Sequence, residues 1–467
     1  MARSLPLKLL PSQLSSLSKS TKTGVKGSQR TERFLYPQRT TNKAPGENPR
    51  VVSSVYGRLK TIILFFPTNG AYTVYPYFKF VKEFIEQFNG GGRRFLLVAE
   101  SNVLSGSECD ELSLLARQNG NTFYLIPIIY DSRDLAPWAQ DCFLSITYTV
   151  DGEDQIYLVE PSNEASNKNV AKELVNSLEQ ITIPNFTIRH SDSPIPFVGG
   201  NVLVGDRFII IGIHQSNRQL IRQFGKKWLG KNIIILESKS TDLSISWPEC
   251  KITSDNFYNR YDASAKKQPL FHGDLFMTAA GKNKAGQEIF VIGEPTIGFA
   301  LTDDIPADVK QLVKDIIIQT KCAINEVIRL LKKEFSDLNI SFQIVRNPLP
   351  LTYYDEIVNE RKTRHWCWAS YNNCLVENYY DNSGLDARIV KNVIIPSYGI
   401  NSDYSHRTCS KTGQSYGSWT ELHSHDLQNQ WLWEDLGYKV VLMRQDFNPF
   451  IRRQGSLNCL TNCIERE

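Results

Sequence analysis

Acidic residues are absent from the first 31 positions, and no apolar run approaches the roughly eighteen residues a membrane span requires. The longest apolar pieces are as short as 61–67 and 208–212, so a soluble protein is expected. Cysteine is scarce: nine of 467 residues, odd in number and scattered. That pattern excludes a disulfide framework and favours a reducing, cytoplasmic compartment. The glycine run 90–92 lacks the Lys-Ser/Thr of a phosphate-binding loop, and no acidic segment has EF-hand spacing. No Gly/Ser- or Pro-rich linker interrupts residues 51–467, so one domain is expected there.

What charge there is lies unevenly. The formal net charge of +4 combines a basic arm with a mildly acidic body. Residues 1–50 hold ten basic residues against Glu32 and Glu47, leaving 43 basic and 47 acidic residues for the rest. A body of net negative charge argues against nucleic-acid binding, which needs clustered Lys/Arg on phosphates. The arm is Ser- and Leu-rich without an uninterrupted apolar stretch. It reads as a disordered basic arm, with an organellar transit peptide as the alternative.

From Val51 onward, apolar residues are plentiful and periodic. Ten runs rich in β-branched and aromatic residues read as buried strands: 61–67, 94–100, 123–130, 155–161, 207–212, 232–237, 288–295, 341–345, 392–396 and 439–443. Helical patterns fall at 76–88, 110–118, 305–335 and 428–436; in the third, Val309, Leu312, Val313, Ile316, Val327 and Leu331 form one stripe. Alternating strands and helices predict an α/β fold, and the strand count suits a repeated ββαβ unit. The polar segments 251–268 and 399–426 read as long loops.

Four segments place reactive residue types at the ends of strand-like runs. They are Trp138-Ala139-Gln140-Asp141, Gly199-Gly200-Asn201, His272-Gly273-Asp274 and the terminal Gly455–Asn462, which holds Cys459. His272 and Asp274 share parity and would face one side of an extended chain. Each segment taken alone has an ordinary reading: a cap, a hairpin turn, a surface pair, a small buried hydrophobe.

In this order they resemble the guanidine-modifying deiminase superfamily of agmatine, arginine and protein-arginine deiminases. Trp138–Asp141 resembles its W-x-Q-D segment, His272–Asp274 its H-x-D, and Asn448–Arg466 its terminal stretch around the cysteine. Ser370-Tyr371-Asn372-Asn373, followed by Val393–Pro396, resembles the S-Y-x-N…P segment of the agmatine-deiminase branch. The resemblance implies a single-domain, five-bladed α/β-propeller of ββαβ units (pentein-type) after the arm. It implies hydrolytic deimination through a Cys459 thiouronium intermediate, with peptidyl-arginine favoured and agmatine or free arginine as alternatives. Asp141 and Asp274 would grip the planar guanidinium. His272 would shuttle protons, and Asn201, Asn373, Trp138 and Trp366 would line the substrate site. These steps require no metal or organic cofactor; some relatives need Ca²⁺, which the resemblance leaves open.

The sequence departs from the family at two positions. Asn458 stands where His commonly precedes the nucleophile, and Val198 where an acidic residue often precedes Gly-Gly-Asn. These departures support a second class, a non-catalytic binding protein retaining the fold. Asp134, in an R-D-x-x-P-W echo, rivals Asp141. Trp366-Cys367-Trp368-Ala369 superficially resembles a papain-like nucleophile segment, and His406, Cys409, His423 and His425 are zinc-ligand types without compact spacing.

Overall fold

The computed structural model of the chain describes residues 43–467 except 68–73, 101–105, 129–134, 163–168, 182, 214–217, 238–259, 263–269, 271, 304, 306, 359–360, 383–387, 400–414, 417–421 and 452–454. Its first six elements are β1 (Glu47–Val51), β2 (Leu59–Phe65), α1 (Val74–Glu86), β3 (Arg94–Glu100), α2 (Gly106–Gln118) and β4 (Thr122–Ile128). One pattern then repeats: an antiparallel strand pair, a helix, and a strand parallel to the second.

The first repeat is β5 (Leu144–Val150), β6 (Glu153–Glu160), α3 (Val170–Glu179) and β7 (Ile188–Asp192). The second is β8 (Val202–Val204), β9 (Phe208–Ile213), α4 (Arg218–Leu229) and β10 (Asn232–Glu237). After β11 (Arg260–Asp262), the third follows as β12 (Met277–Lys282), β13 (Glu288–Ile297), α5 (Ala307–Asp337) and β14 (Phe342–Val358), extended by β15 (Arg361–Trp368). The fourth comprises β16 (Leu375–Asp381), β17 (Arg388–Ser397), α6 (Leu422–Asp435) and β19 (Lys439–Asp446), with the two-residue β18 (Ser415–Tyr416) ahead of α6. After α7 (Asn448–Ile451), β20 (Thr461–Arg466) runs antiparallel to β2, which is parallel to β3 across α1. Both ends of the body thus complete a fifth ββαβ unit. The described residues form five sheets, one per unit, and all belong to one compact unit, residues 40–467.

The α/β expectation is met, and each of the ten apolar runs overlaps a strand among the described residues. Ten further strands were not legible, among them the five that open the units, β5, β8, β12, β16 and β20. These five follow directly on a turn; β8 is only three residues long, and the other four bury polar residues, Ser145, Thr278, Glu377 and Thr461, which break up the apolar signal. The body also begins earlier than Val51, because β1 pairs with β5 from Glu47. Segment 399–426 is not all loop: α6 starts at Leu422. The helix expected at 428–436 is its second half; its buried face, Leu422, Asp426, Asn429 and Trp433, is half polar and carries no apolar stripe back to its start. No described helix is long and apolar enough to cross a membrane. Residues 1–42 of the basic arm lie outside the described residues.

The fourth and fifth units are joined by a buried ion pair. Glu377 on β16 accepts from Arg93 Nη2 at 3.0 Å, from the Leu59 backbone N–H at 2.8 Å and from Asn392 Nδ2 at 2.9 Å. Both charged side chains are more than nine-tenths buried. Removing one partner leaves the other charge stranded in a low-dielectric site. Glu377→Ala is therefore expected to lose about 3–5 kcal/mol, read as a lowered denaturant midpoint. A loss below 1 kcal/mol would mean that water reaches Arg93.

Candidate active site

The motifs picked out in the sequence are turns, and each leads into the first strand of a unit. Ala139–Asp141, Gly199–Asn201 and Gly273–Leu275 are single 3₁₀ turns before β5, β8 and β12. Turns at 371–373 and 457–460 stand before β16 and β20. Each turn is tied to the next. Asp141 Oδ1 accepts the Gly200 N–H at 3.1 Å, and Asn201 Oδ1 the Gly273 N–H at 2.8 Å. The Ser370 hydroxyl donates to the Leu275 carbonyl. Asn373 Oδ1 accepts the Cys459 N–H at 3.0 Å, and Asn462 Nδ2 donates back to the Ala139 carbonyl at 3.0 Å. The cycle closes, so all five turns are fixed by one another.

Four reactive side chains meet inside this cycle. Asp141, His272, Asp274 and Cys459 are all buried, at 6, 9, 8 and 1 % exposure. Cys459 Sγ is 3.6 Å from Asp274 Oδ2, and His272 Nδ1 is 3.8 Å from Asp141 Oδ1. Gly200 makes room for them. A Cβ there would stand 2.8 Å from His272 Nδ1, 2.9 Å from Asp141 Oδ1 and 3.3 Å from Asp274 Oδ1, so three polar atoms surround one spot. Asp274 Oδ2 receives Asn458 Nδ2 at 2.9 Å, whereas Asp274 Oδ1 is buried with no hydrogen-bond partner among the described residues. An unsatisfied buried carboxylate oxygen is costly, which makes it an acceptor for an incoming cationic donor.

The electrostatics agree with the geometry. Burial pushes the Asp274 carboxyl up to about 6, against the opposing pull of His272 and the Asn458 hydrogen bond. Burial also raises Asp141, with His272 and the Gly200 N–H pulling the other way. The Cys459 thiol is raised well above its ordinary value by burial, then by the carboxylates of Asp274 and Asp141. A cation seated between those carboxylates would cancel their field and release the thiol proton.

No family model and no curated protein sequence matches the chain. Solved structures do match. An agmatine deiminase of Enterococcus faecalis aligns over 91% of this chain and 99% of its own, at 13% identity and a TM-score of 0.51. The chain has the fold of an agmatine deiminase. Weaker likenesses are an agmatine deiminase of C. jejuni (14% identity, 90% and 96% of the two chains, TM-score 0.47) and an amidinotransferase of Microseira wollei (11%, 90% and 97%, 0.38).

Within this deiminase-like fold the sequence candidates separate. Asn201 and Asn373 hold backbone: the first fixes the His272–Asp274 turn, and the second grips Cys459 at both N–H and Sγ (Nδ2···Sγ 3.2 Å). Trp138 packs across Gly455, where a Cβ would come within 2.3 Å of its ring. Trp366 is not brought to the cluster. It is fully buried against Phe299 and Tyr353 in a separate hydrophobic cluster, because an indole is as much at home in a core as in a cleft. His272 and Asp274 converge through a turn rather than through strand parity. Cys367, the nucleophile of the protease alternative, is buried in an apolar cluster. Asp134, His406 and Cys409 lie outside the described residues, and His423 and His425 are on α6. The contributions of Gly200 and Asn458 became visible only in three dimensions, although both flank motif residues.

Two described groups bring three metal-ligand types within 4.8 Å: His272, Asp274 and Cys459, and Glu160, His190 and Asp192. Ca²⁺ takes six to eight oxygen ligands, whereas the first group offers one carboxylate and the second two. Neither fits that ion, and no step is routed through it.

Proposed function

We propose that the protein hydrolyses a guanidino group to a ureido group and ammonia through a covalent intermediate on Cys459. The observation that carries this reading is Asp274 Oδ1, buried without a hydrogen-bond partner among the described residues and facing the same spot as Asp141 Oδ1 and His272 beside the thiol. Two carboxylates on one planar cation give paired, charge-assisted hydrogen bonds and expose its central carbon. The thiolate adds to that carbon. The C–N bond then breaks as ammonia leaves with a proton from His272. Water, deprotonated by His272, adds to the thiouronium and expels the thiolate. Guanidinium and water thus become a ureido group and ammonium. The closed cycle of turn-to-turn hydrogen bonds supports reading the five sheets as blades of a five-bladed propeller.

Two substrate classes suit this head-group site: peptidyl-arginine, giving citrulline, and a small guanidino compound such as agmatine or arginine. Ureido formation measured in parallel on an arginine peptide, agmatine and arginine is expected to occur with at least one. No turnover on any of them, with or without Ca²⁺, would overturn the enzyme reading in favour of a binding protein retaining the fold.

A further inference from the structure

Helix α6 carries a carboxylate that the proposed chemistry does not use. Asp426 is fully buried and accepts three hydrogen bonds. Tyr371 Oη donates to Oδ1 at 2.6 Å, the Tyr398 N–H to Oδ1 at 3.0 Å, and the Gly399 N–H to Oδ2 at 2.8 Å. The two tyrosines are buried and meet edge to face, with ring centroids 5.1 Å apart. Tyr398 Oη then reaches the Ser370 carbonyl at 3.1 Å and Ser456 Oγ at 2.7 Å.

These contacts land on two particular turns. Tyr371 lies two residues before Asn373, whose amide grips Cys459 at N–H and Sγ. Ser456 lies three residues before Cys459, and its carbonyl accepts the Leu460 N–H of the same turn at 3.1 Å. One carboxylate therefore braces both halves of the nucleophile clamp, the holding turn through Tyr371 and the held turn through Tyr398. A core-filling role alone does not call for a charged group here, because burying it without full satisfaction is costly.

We propose that Asp426 is a positioning residue for the nucleophile, acting through Tyr371 and Tyr398 on the Asn373–Cys459 clamp. The proposal rests on the deiminase reading only for what Cys459 attacks. An asparagine at 426 turns one acceptor into a donor facing three donors, so at least one of Tyr371, Tyr398 and Gly399 loses its bond. Tyr398→Phe removes only the hydroxyl links to Ser456 and the Ser370 carbonyl and keeps the ring, which makes it the gentler probe.

The test measures both variants by steady-state kinetics and by amide hydrogen exchange of residues 455–467. The expected result is a fall in kcat of about 10- to 100-fold with KM within about threefold, as for a misplaced reacting group. Exchange at the Cys459 amide should quicken at least about tenfold, the sign of local opening. If the folded variants keep wild-type kcat and wild-type exchange at Cys459, with loosening confined to α6 and residues 398–399, the proposal is wrong. If the terminal turn loosens but the wild-type protein turns over no guanidino compound, the brace stands and the deiminase reading fails.

Discussion

Cys459→Ser is expected to lower turnover by at least about 10⁴-fold, roughly 5 kcal/mol of lost transition-state stabilisation, while leaving the fold intact. The sulfur sits between an amide donor, Asn373 Nδ2 at 3.2 Å, and a carboxylate, Asp274 Oδ2 at 3.6 Å. A serine hydroxyl fits that space and keeps both polar contacts, so thermal stability should change little. Reactivity is different. The proposed reaction needs an anionic nucleophile formed when the substrate cation offsets Asp141 and Asp274, and an alcohol beside two carboxylates stays protonated far beyond the pH at which a thiol ionises. Rapid-quench mass spectrometry of the wild-type protein should find substrate minus ammonia attached to Cys459. The serine variant should show no such adduct. Turnover by the serine variant within tenfold of wild type would remove Cys459 from the chemistry. Because burial, and then the carboxylates of Asp274 and Asp141, hold the thiol protonated, alkylation near neutral pH is not expected to single out Cys459 among the cysteines until a guanidinium is bound.

How far the sequence revealed all this depended on what each residue faces. Strand β3, buried over Phe95–Ala99 between two parallel neighbours, appears as an unbroken apolar run, and so does β10, whose Ile234 and Leu236 are buried against parallel β9. The strands that open each unit, such as β12 with its buried Thr278, face polar turns and lose that signal. Helix α6 was anticipated only over its second half, from 428, since the inward ridge of its first half includes Asp426 and Asn429. Asp141, His272, Asp274 and Cys459 were legible through a motif order, and the structure gathers them in one buried cluster. Trp366 was misplaced because residue type alone does not separate a cleft aromatic from a core one. Asn458 stood out only as a departure from the family pattern. That it donates to Asp274 Oδ2 needs two turns 184 residues apart to be neighbours, which no local pattern encodes.

Asp274→Asn should move activity and stability in opposite directions. Activity is expected to fall by at least about 10³-fold, because the amide removes one of the two charges that hold the cation and activate the thiol. In the wild type, kcat/KM should rise with pH through an acid limb near 6, the value to which burial lifts this carboxyl, since only the ionised form binds the guanidinium. Stability follows the opposite sign. A carboxyl whose pKa is higher folded than unfolded binds its proton more tightly in the native state. Its contribution is full below the unfolded value near 3.8 and is lost as pH rises through about 6. Above that pH the native state carries the cost of a buried, half-satisfied carboxylate, on the order of 1–3 kcal/mol. Asparagine is never ionised and still accepts from Asn458, so the variant should be the more stable protein at pH 7–8. The stability gap should close as pH falls towards 4. Denaturant melts of both proteins across pH 4–8, beside their kinetics, check both signs. A variant less stable than wild type at pH 8 would show that Asp274 is held by a partner compensating its charge, and the cation-binding role of its Oδ1 would have to be abandoned.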